Sequence, residues 1–485
     1  MKVHRCKISR VGLRTGLITC LGALVAGCAV GPDYVRPVVE TPAAYQEAGA
    51  WQIAEPRDEA PRGRWWEVYG DAPLNALVEQ VAVDNQNVRT AEATYRQALA
   101  ALGAARAARW PTLGANVSGG RSAAVATTPG LASPTRTTDR VSLSANWEAN
   151  LWGRLGRNTE AGEAAAQASA ADLQAALLSA QATLVQSWLQ LRANDVQQQL
   201  LTQTVAEYRR STQITRNRYE AGVAGRSDVV QAEIQLKAAE AQAVDLGVQR
   251  AQLEHAIALL IGKPPAALRW APVAVPALPV LPEIPASVPS GLLERRPDIA
   301  AAERRMAAAN AQIGIAQAAY FPALTLAGAL GYQNDSFSQL LTAPHRYWSL
   351  GPSLALTLFD GGARAAAKEG ALAGYDKSVA TYRQTVLGAF QEVEDNLAAL
   401  RVLAEEAVIQ QQAVTAAHEL VTLSNNQYLA GTVSYLNVAS AQTAALSAER
   451  ASLDIRTRRL LASVALLKAL GGDWRLPDVE KMKGG

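Results

Sequence analysis

The chain states one pattern twice. Asn217-Arg218-Tyr219-Glu220-Ala221-Gly222 returns as Asn426-Gln427-Tyr428-Leu429-Ala430-Gly431, 209 residues further on. The same offset carries Asp228-Val229 to Asn437-Val438, Ala232 to Ala441 and Gly262 to Gly471. Upstream, Ala91-Glu92 and Trp110-Pro111 return 211 residues later as Ala302-Glu303 and Phe321-Pro322. A period this long holds several secondary elements, so it implies a duplicated architectural unit and not a short solenoid repeat. A pseudo-symmetric object is expected, with a ring or tube as the natural candidate.

The N-terminus indicates where that object lives. Lys2, Arg5, Lys7, Arg10 and Arg14 precede the apolar run Gly16–Ala26, with no acid among them. These are the basic and apolar regions of a secretory signal, and the run is too short to span a bilayer. Val25-Ala26-Gly27-Cys28 resembles a bacterial lipobox, which implies cleavage before Cys28 and acylation of its sulfur. An ordinary signal peptide with a stray cysteine is the plainer alternative. Cys6, Cys20 and Cys28 are the only cysteines, so the mature chain has no disulfide and no thiol ligand set. The formal charge of +3 misleads, because the signal carries five of the 46 Lys and Arg. Without it the chain stands at −2 against 43 acids, and no basic excess points to nucleic acid.

Two segments alternate strictly. Val141, Leu143, Ala145, Trp147, Ala149 and Leu151 interleave with Ser142, Ser144, Asn146, Glu148 and Asn150. Trp348, Leu350, Pro352, Leu354, Leu356 and Leu358 interleave with small or polar residues in the second half. Alternation of this kind is a strand with one apolar and one wet face. Weaker runs precede each, at Leu113–Val117 and Leu324–Tyr332. About eleven residues tilted near 45° match a transmembrane β-strand. Trp110, Trp152, Tyr320, Phe321, Trp348 and Phe359 cluster at the run ends as an interfacial girdle would. The lipid-facing set is therefore Val141, Leu143, Trp147, Leu151, Leu350, Leu354, Leu356 and Leu358. A half-buried sheet in a soluble domain is the alternative. Four strands cannot close a barrel, since about eight is the practical minimum, and an open edge in lipid leaves backbone groups unpaired. Two chains would supply eight strands, and three would supply twelve. Segments 118–140 and 333–347 are polar and are expected to be loops outside the cell.

After Trp152-Gly153 no proline occurs until Pro264, and strong helix formers dominate. From Arg154 to Gly222, and again from Ala363 to Gly431, one helix would extend roughly 100 Å at 1.5 Å per residue. Gly222 and Gly431 stop these helices, and Asp228 or Asn437 can cap the next. Each return helix, ending near Gly262 or Gly471, is about half as long. Residues 71–108 and 297–319 could supply the remainder by stacking end to end with it. Small-residue runs such as Ala164-Ala165-Ala166 and Ala365-Ala366-Ala367 allow helices to pack closely, as a tube wall needs; a solid coiled-coil stalk is the alternative. Residues 263–289 hold eight prolines and form an extended linker.

The chain resembles the outer-membrane factors, the TolC-like efflux ducts, in the lipoprotein branch that serves resistance-nodulation-division pumps. The residues that carry the resemblance run Cys28–Tyr34, Trp65–Asp71, Leu292–Ile299, Leu358–Gly362 and Phe390–Asp395. It implies a mixed α+β membrane protein, a homotrimer with one twelve-stranded β-barrel continued by a long α-helical barrel. It also implies an outer-membrane location, anchored through Cys28 and extending into the periplasm. The domain organisation is then a signal at 1–27, a lipid-anchored segment at 28–70, repeat 1 at 71–262, a Pro-rich linker at 263–290, repeat 2 at 291–471 and a tail at 472–485. The hairpin tips would close the duct and dock a periplasmic adaptor, which links it to an inner-membrane resistance-nodulation-division transporter. Tyr219, Gly222, Ser227 and Asp228, with Tyr428, Gly431 and Asn437, are the tip residues on that basis, although each also serves as a turn or cap residue. This chain departs from the family at the second tip, where residues 429–437 carry no charge. Hydrogen bonds and apolar contacts, with Arg226 or Asp228 as partners, would have to hold it closed.

No catalytic set is visible. His255, His345 and His418 stand far apart with no metal-ligand spacing, and no nucleophile elbow or phosphate loop occurs, so neither enzyme nor cofactor is expected. Glu392, Glu394 and Asp395 are expected to cover a solvated helix face or to pair with neighbours. The function expected is passive conduction of exported small molecules across periplasm and outer membrane. A duct for type I protein secretion and, from a different class, a periplasmic adaptor or scaffold lipoprotein are the alternatives.

Overall fold

The computed structural model describes residues 30–38, 42, 45–48, 64–123, 135–270, 277–282 and 295–472. Cys28 lies outside the described residues. The element order is α1 (Ala72–Asp84), α2 (Gln86–Ala107), β1 (Thr112–Ala123), β2 (Thr135–Ala149), α3 (Arg154–Glu220), α4 (Arg226–Leu260), α5 (Pro297–Ala318), β3 (Ala323–Asn334), β4 (Arg346–Ala355), α6 (Ala363–Leu429) and α7 (Tyr435–Ala469). The duplication is literal. A 22-residue helix, two strands, a 67-residue helix and a 35-residue helix occur in that order twice. Two compact units result, one holding Tyr95–Ser169 and Ala302–Tyr382, the other holding Ala170–Ala301 and Arg383–Gly485.

In the first unit the strands form one antiparallel sheet in the order β1-β2-β3-β4. Residues directly opposite each other in an antiparallel ladder share a face. Val117 lies opposite Val141, Leu143 opposite Leu330, Trp147 opposite Leu326 and Leu324 opposite Leu354. The apolar sets of all four strands therefore coincide on one face. Ser142, Ser144, Asn146, Thr325, Ser349 and Ser353 lie on the other. The β2–β3 pairing joins the two repeats within one chain.

The ladders run further than alternation alone suggests. β1 continues to Ala123, β2 begins at Thr135, β3 reaches Asn334 and β4 starts at Arg346, so the expected loops at 118–140 and 333–347 shrink from both sides. Thr137, Thr138, Asp139 and Arg140 have no apolar face to reveal a strand. In water a paired backbone needs none.

In the second unit, the junction between short helices repeats as well. Asn85, breaking the chain between α1 and α2, donates from Nδ2 to the Leu260 carbonyl at the end of α4 (2.7 Å). Its Oδ1 accepts from the Asn87 and Val88 amides, which caps α2. Arg296 stands 211 residues later and donates to the Ala469 carbonyl at the end of α7 (3.1 Å). Each junction is sealed by a glycine. A Cβ on Gly262 would lie 2.2 Å from the Asp84 carbonyl oxygen, and one on Gly471 would lie 2.6 Å from that of Arg295. The end of α4 thus abuts the start of α2, and the end of α7 abuts the start of α5. Around this level Trp66, Tyr69, Leu74, Val78, Trp188, Leu189, Ile257 and Val464 form the core. Asp71 caps α1 through the Leu74 amide and accepts from the Trp188 indole (2.9 Å). The acidic cluster on α6 pairs with neighbours: Glu392 meets Arg296 at 2.7 Å, and Glu394 accepts from the Gln46 and Glu47 amides. The described part of the Pro-rich linker is not wholly extended, since Pro265–Ala267 forms a 3-10 turn, and it is packed: Leu278 is buried and Trp270 lies edge-on against Trp188.

Candidate functional site: an open-edged sheet and a pair of hairpin tips

The sheet displays its apolar side. Leu113 is 84% exposed, Leu143 63%, Leu350 68% and Leu354 66%, a degree of apolar exposure that solvent alone would not favour across a whole face. Val141 is half-buried opposite Tyr332, and Trp147 is exposed, its indole donating to the Arg109 carbonyl (2.9 Å). Three residues read from the sequence as strand lie beyond it. Leu151 sits in the turn after β2, and Leu356 and Leu358 follow the last residue of β4. The reason is the ladder. β3 begins at Ala323, whose partner is Ala355, so nothing on that side can pair with residues 356–358. Among the described residues the outer flanks of β1 and β4 have no strand partner. In hydrocarbon each unpaired backbone group costs on the order of several kcal/mol, so an open sheet with two such edges is excluded from a bilayer unless other strands complete it.

The helical hairpins end in matching turns. Gly222 (φ 75°) and Gly431 (φ 77°) adopt the left-handed region. The Gly222 amide donates to Tyr219 and that of Val223 to Arg218, while Gly431 donates to Tyr428 and Thr432 to Gln427. These are Schellman closures, which need glycine at that position. The following helices start earlier than the sequence suggests. Gly225 and Ser434 precede α4 and α7 with extended backbones, and neither Asp228 nor Asn437 caps its helix. Asp228 instead lies in the first turn of α4, where its charge complements the exposed amides.

Sequence repetition conceals a division of labour between the tips. Tyr219 is 40% exposed, whereas its counterpart Tyr428 is 4% exposed. Tyr428 packs edge-on against Tyr435 at 5.5 Å, with Ala232, Val438 and Ala439 around them. Its hydroxyl donates to Thr215 Oγ1, and that of Tyr435 to Gln235 Oε1, both at 3.4 Å. Gln235 then donates to the Ala439 carbonyl (3.0 Å). Arg218 is the cation that serves the uncharged second tip, in place of Arg226 or Asp228. Its guanidinium lies 4.8 Å from the Tyr428 ring centroid and donates to the Leu429 carbonyl (3.1 Å). Arg216 pairs with Glu233 across the first hairpin (2.6 Å). Burial pushes the Tyr435 phenol up to about 12, so it stays neutral and bonded throughout the physiological range. Ser227, Asn437, Gly222 and Gly431 remain on the surface.

Arg218, Thr215, Gln235 and Tyr435 escaped the sequence reading. The one signal for them was divergence between copies: Arg218 aligns with Gln427, and Arg226 with Tyr435. At Arg218 and Tyr435 the copies differ, and there they pack against one another.

The outer membrane efflux protein family model matches residues 77–263 and 288–472. The toluene efflux pump outer membrane protein TtgC of Pseudomonas putida is 30% identical over 460 residues, covering 93% of this chain and 94% of the relative. The outer membrane protein OprJ of Pseudomonas aeruginosa is 32% identical over 467 residues, covering 95% and 96%. The solved outer-membrane channel OprN superposes with a TM-score of 0.85 at 31% identity, covering 92% of this chain and 100% of that one. This chain belongs to the outer membrane efflux protein family.

Proposed function

We propose that three copies of this chain complete one twelve-stranded barrel in the outer membrane, and that the resulting duct passively conducts small molecules delivered by an efflux pump. The observation that carries this reading is a four-stranded sheet with one largely exposed apolar face and, among the described residues, no strand partner at either edge. Lipid satisfies the face and neighbouring copies satisfy the edges. Cys28 carries the acyl anchor, ahead of two repeats at 71–262 and 291–471. The hairpin tips, with Tyr219 and Ser227 exposed and Asp228 half-buried on them, dock a periplasmic adaptor that connects to a resistance-nodulation-division transporter. The driving energy belongs to that transporter, and this chain supplies the path.

The duplication also fixes a register. β2 corresponds to β4 and β3 to β1, so the β2–β3 ladder within a chain is a template for β4 of one copy against β1 of the next. Carrying Ala145 opposite Gly328 through the two offsets places Leu354 opposite Val117. Carrying Ala149 opposite Leu324 places Leu358 opposite Leu113. Leu356 and Leu358 thereby gain the strand partner that an isolated chain cannot give them. The experiment is the mass of the purified protein in detergent together with single-channel recording in planar bilayers. A three-chain particle with stepwise conductance supports the reading, and a monomer without conductance refutes it.

A further inference from the structure

Residues 30–36, part of the motif that follows Cys28, are held by more polar contacts than a passive linker needs. The Val30 amide donates to the Trp152 carbonyl (3.1 Å), and Trp152 itself stacks on Phe321 at 4.8 Å and donates to the Pro322 carbonyl. That places Val30 at the foot of the sheet, beside the turns that leave β2 and enter β3. Arg157 on α3, its side chain only 7% exposed, donates to the carbonyls of Val30 and Gly31 and to Asp33 (3.5, 3.1 and 2.8 Å), with Glu160 as a further partner. Asn310 on α5, also buried, donates to the Pro32 carbonyl (2.9 Å). Glu303 and Tyr382 hold Tyr34 and Arg36.

The approach is too close for side chains. Gly31 has φ 106°, and a Cβ there would lie 2.5 Å from the Gly314 Cα. A Cβ on Gly314 would lie 2.9 Å from Arg157 Cγ. Pseudo-symmetry supplies an internal control. The repeat counterparts of Arg157, Asn310 and Gly314 are Ala366, Leu99 and Gly103. Ala366 and Leu99 have no side-chain donor, and a Cβ on Gly103 would meet nothing within 4 Å. The duplicated scaffold therefore offers the position twice and equips it once.

We propose that residues 30–36 are a strap, seated by Arg157, Asn310 and Gly314, that ties the acylated end of the chain to the foot of the sheet. Cys28 precedes Val30 by two residues, a reach of at most about 7 Å. The strap thus sets where the acyl chains enter the bilayer, beside the Trp152–Phe321 stack. Because the strap is gripped by α3 of one repeat and α5 of the other, it also clasps the two repeats at the strands they share. This inference rests on the acylation proposed above, and Arg157 acts in it as a positioning residue.

The test uses the full chain, extracted from outer membranes as the assembled trimer, and a protease that cleaves before aspartate. The product read is scission of the Pro32–Asp33 bond, which requires the strap to leave its seat. The wild type should resist, whereas Gly31→Ala and Arg157→Ala should be cut at least about tenfold faster. Gly103→Ala, the counterpart with open space, should be cut at the wild-type rate. Should Arg157→Ala fail to assemble, Asn310→Ala and Gly31→Ala decide the question. Wild-type cutting rates in intact trimers of both would overturn the strap. The mass of the N-terminal peptide reports acylation separately, so a wild type found unmodified would refute the anchor while the cutting rates still judged the seat.

Discussion

Arg218→Ala removes the charged side chain of the first tip that grips the second. Two contacts vanish: the guanidinium over Tyr428 and the hydrogen bond to the Leu429 carbonyl. A cation–π contact at a partly exposed site contributes about 0.5–1 kcal/mol. A charge-assisted hydrogen bond contributes about 1.5–3 kcal/mol, discounted here because Arg218 is only half-buried. The sum, roughly 1.5–2.5 kcal/mol per chain, would raise the weight of a parted tip by about ten- to seventyfold. Tyr428 and Tyr435 keep their mutual packing, so assembly should survive. The assay is open probability in planar bilayers, with trimer stability on gels as the control. Arg218→Ala should open far more often than wild type, and Arg218→Lys should be intermediate, since lysine keeps the charge but not the planar stacking. An Arg218→Ala channel with wild-type open probability would refute the idea that this contact holds the tips together.

The junction glycines make a second, independent prediction. Gly262→Ala places a Cβ 2.2 Å from a backbone oxygen at a left-handed φ of 68°, so it should destabilise by about 3 kcal/mol or more, read as a lower melting temperature of the trimer. At the foot of α6, Arg364 and the capping amides of Gly362 and Arg364 hold the Asp360 carboxyl below its ordinary range. A depressed carboxyl stabilises above its unfolded value, and that contribution fades as pH falls through the folded one. Asp360→Asn should therefore lower the melting temperature at pH 7 and leave it close to wild type at strongly acidic pH. Conductance should be flat between pH 6 and 8, because residues 215–237 and 426–443 contain no histidine and Tyr435 titrates only near 12. A steep change in that range would contradict the tip description.

The large-scale fold was legible because duplication writes each element twice. Trp110-Pro111 and Phe321-Pro322 bracket the starts of β1 and β3, and Gly222 and Gly431 mark the ends of helices of equal length. Face assignment was legible because lipid and water demand opposite residues at a period of two. What was hidden lacked such a demand. Thr135–Arg140 extends a ladder in water, where neither face must be apolar, so no alternation shows. The starts of α4 and α7 carry no capping signal, because the residues that precede them, Gly225 and Ser434, form no side-chain cap, while Asp228 and Asn437 lie inside the helices. Arg218 was missed because its partner carbonyl, on Leu429, belongs to a residue 211 positions away. The contacts of Arg218 and Tyr435 between the repeats lie where the copies differ, at Gln427 and Arg226.

Other copies should close the sheet in the register that the internal ladder dictates. Val117→Cys with Leu354→Cys tests it in one chain, since the mature sequence has no cysteine other than Cys28. Oxidation in intact outer membranes should link β1 of one copy to β4 of the next and yield a covalent three-chain ladder on a non-reducing gel, while either single variant yields none. A double variant that stays monomeric under the same oxidation, in membranes where the protein is folded and inserted, would contradict the account.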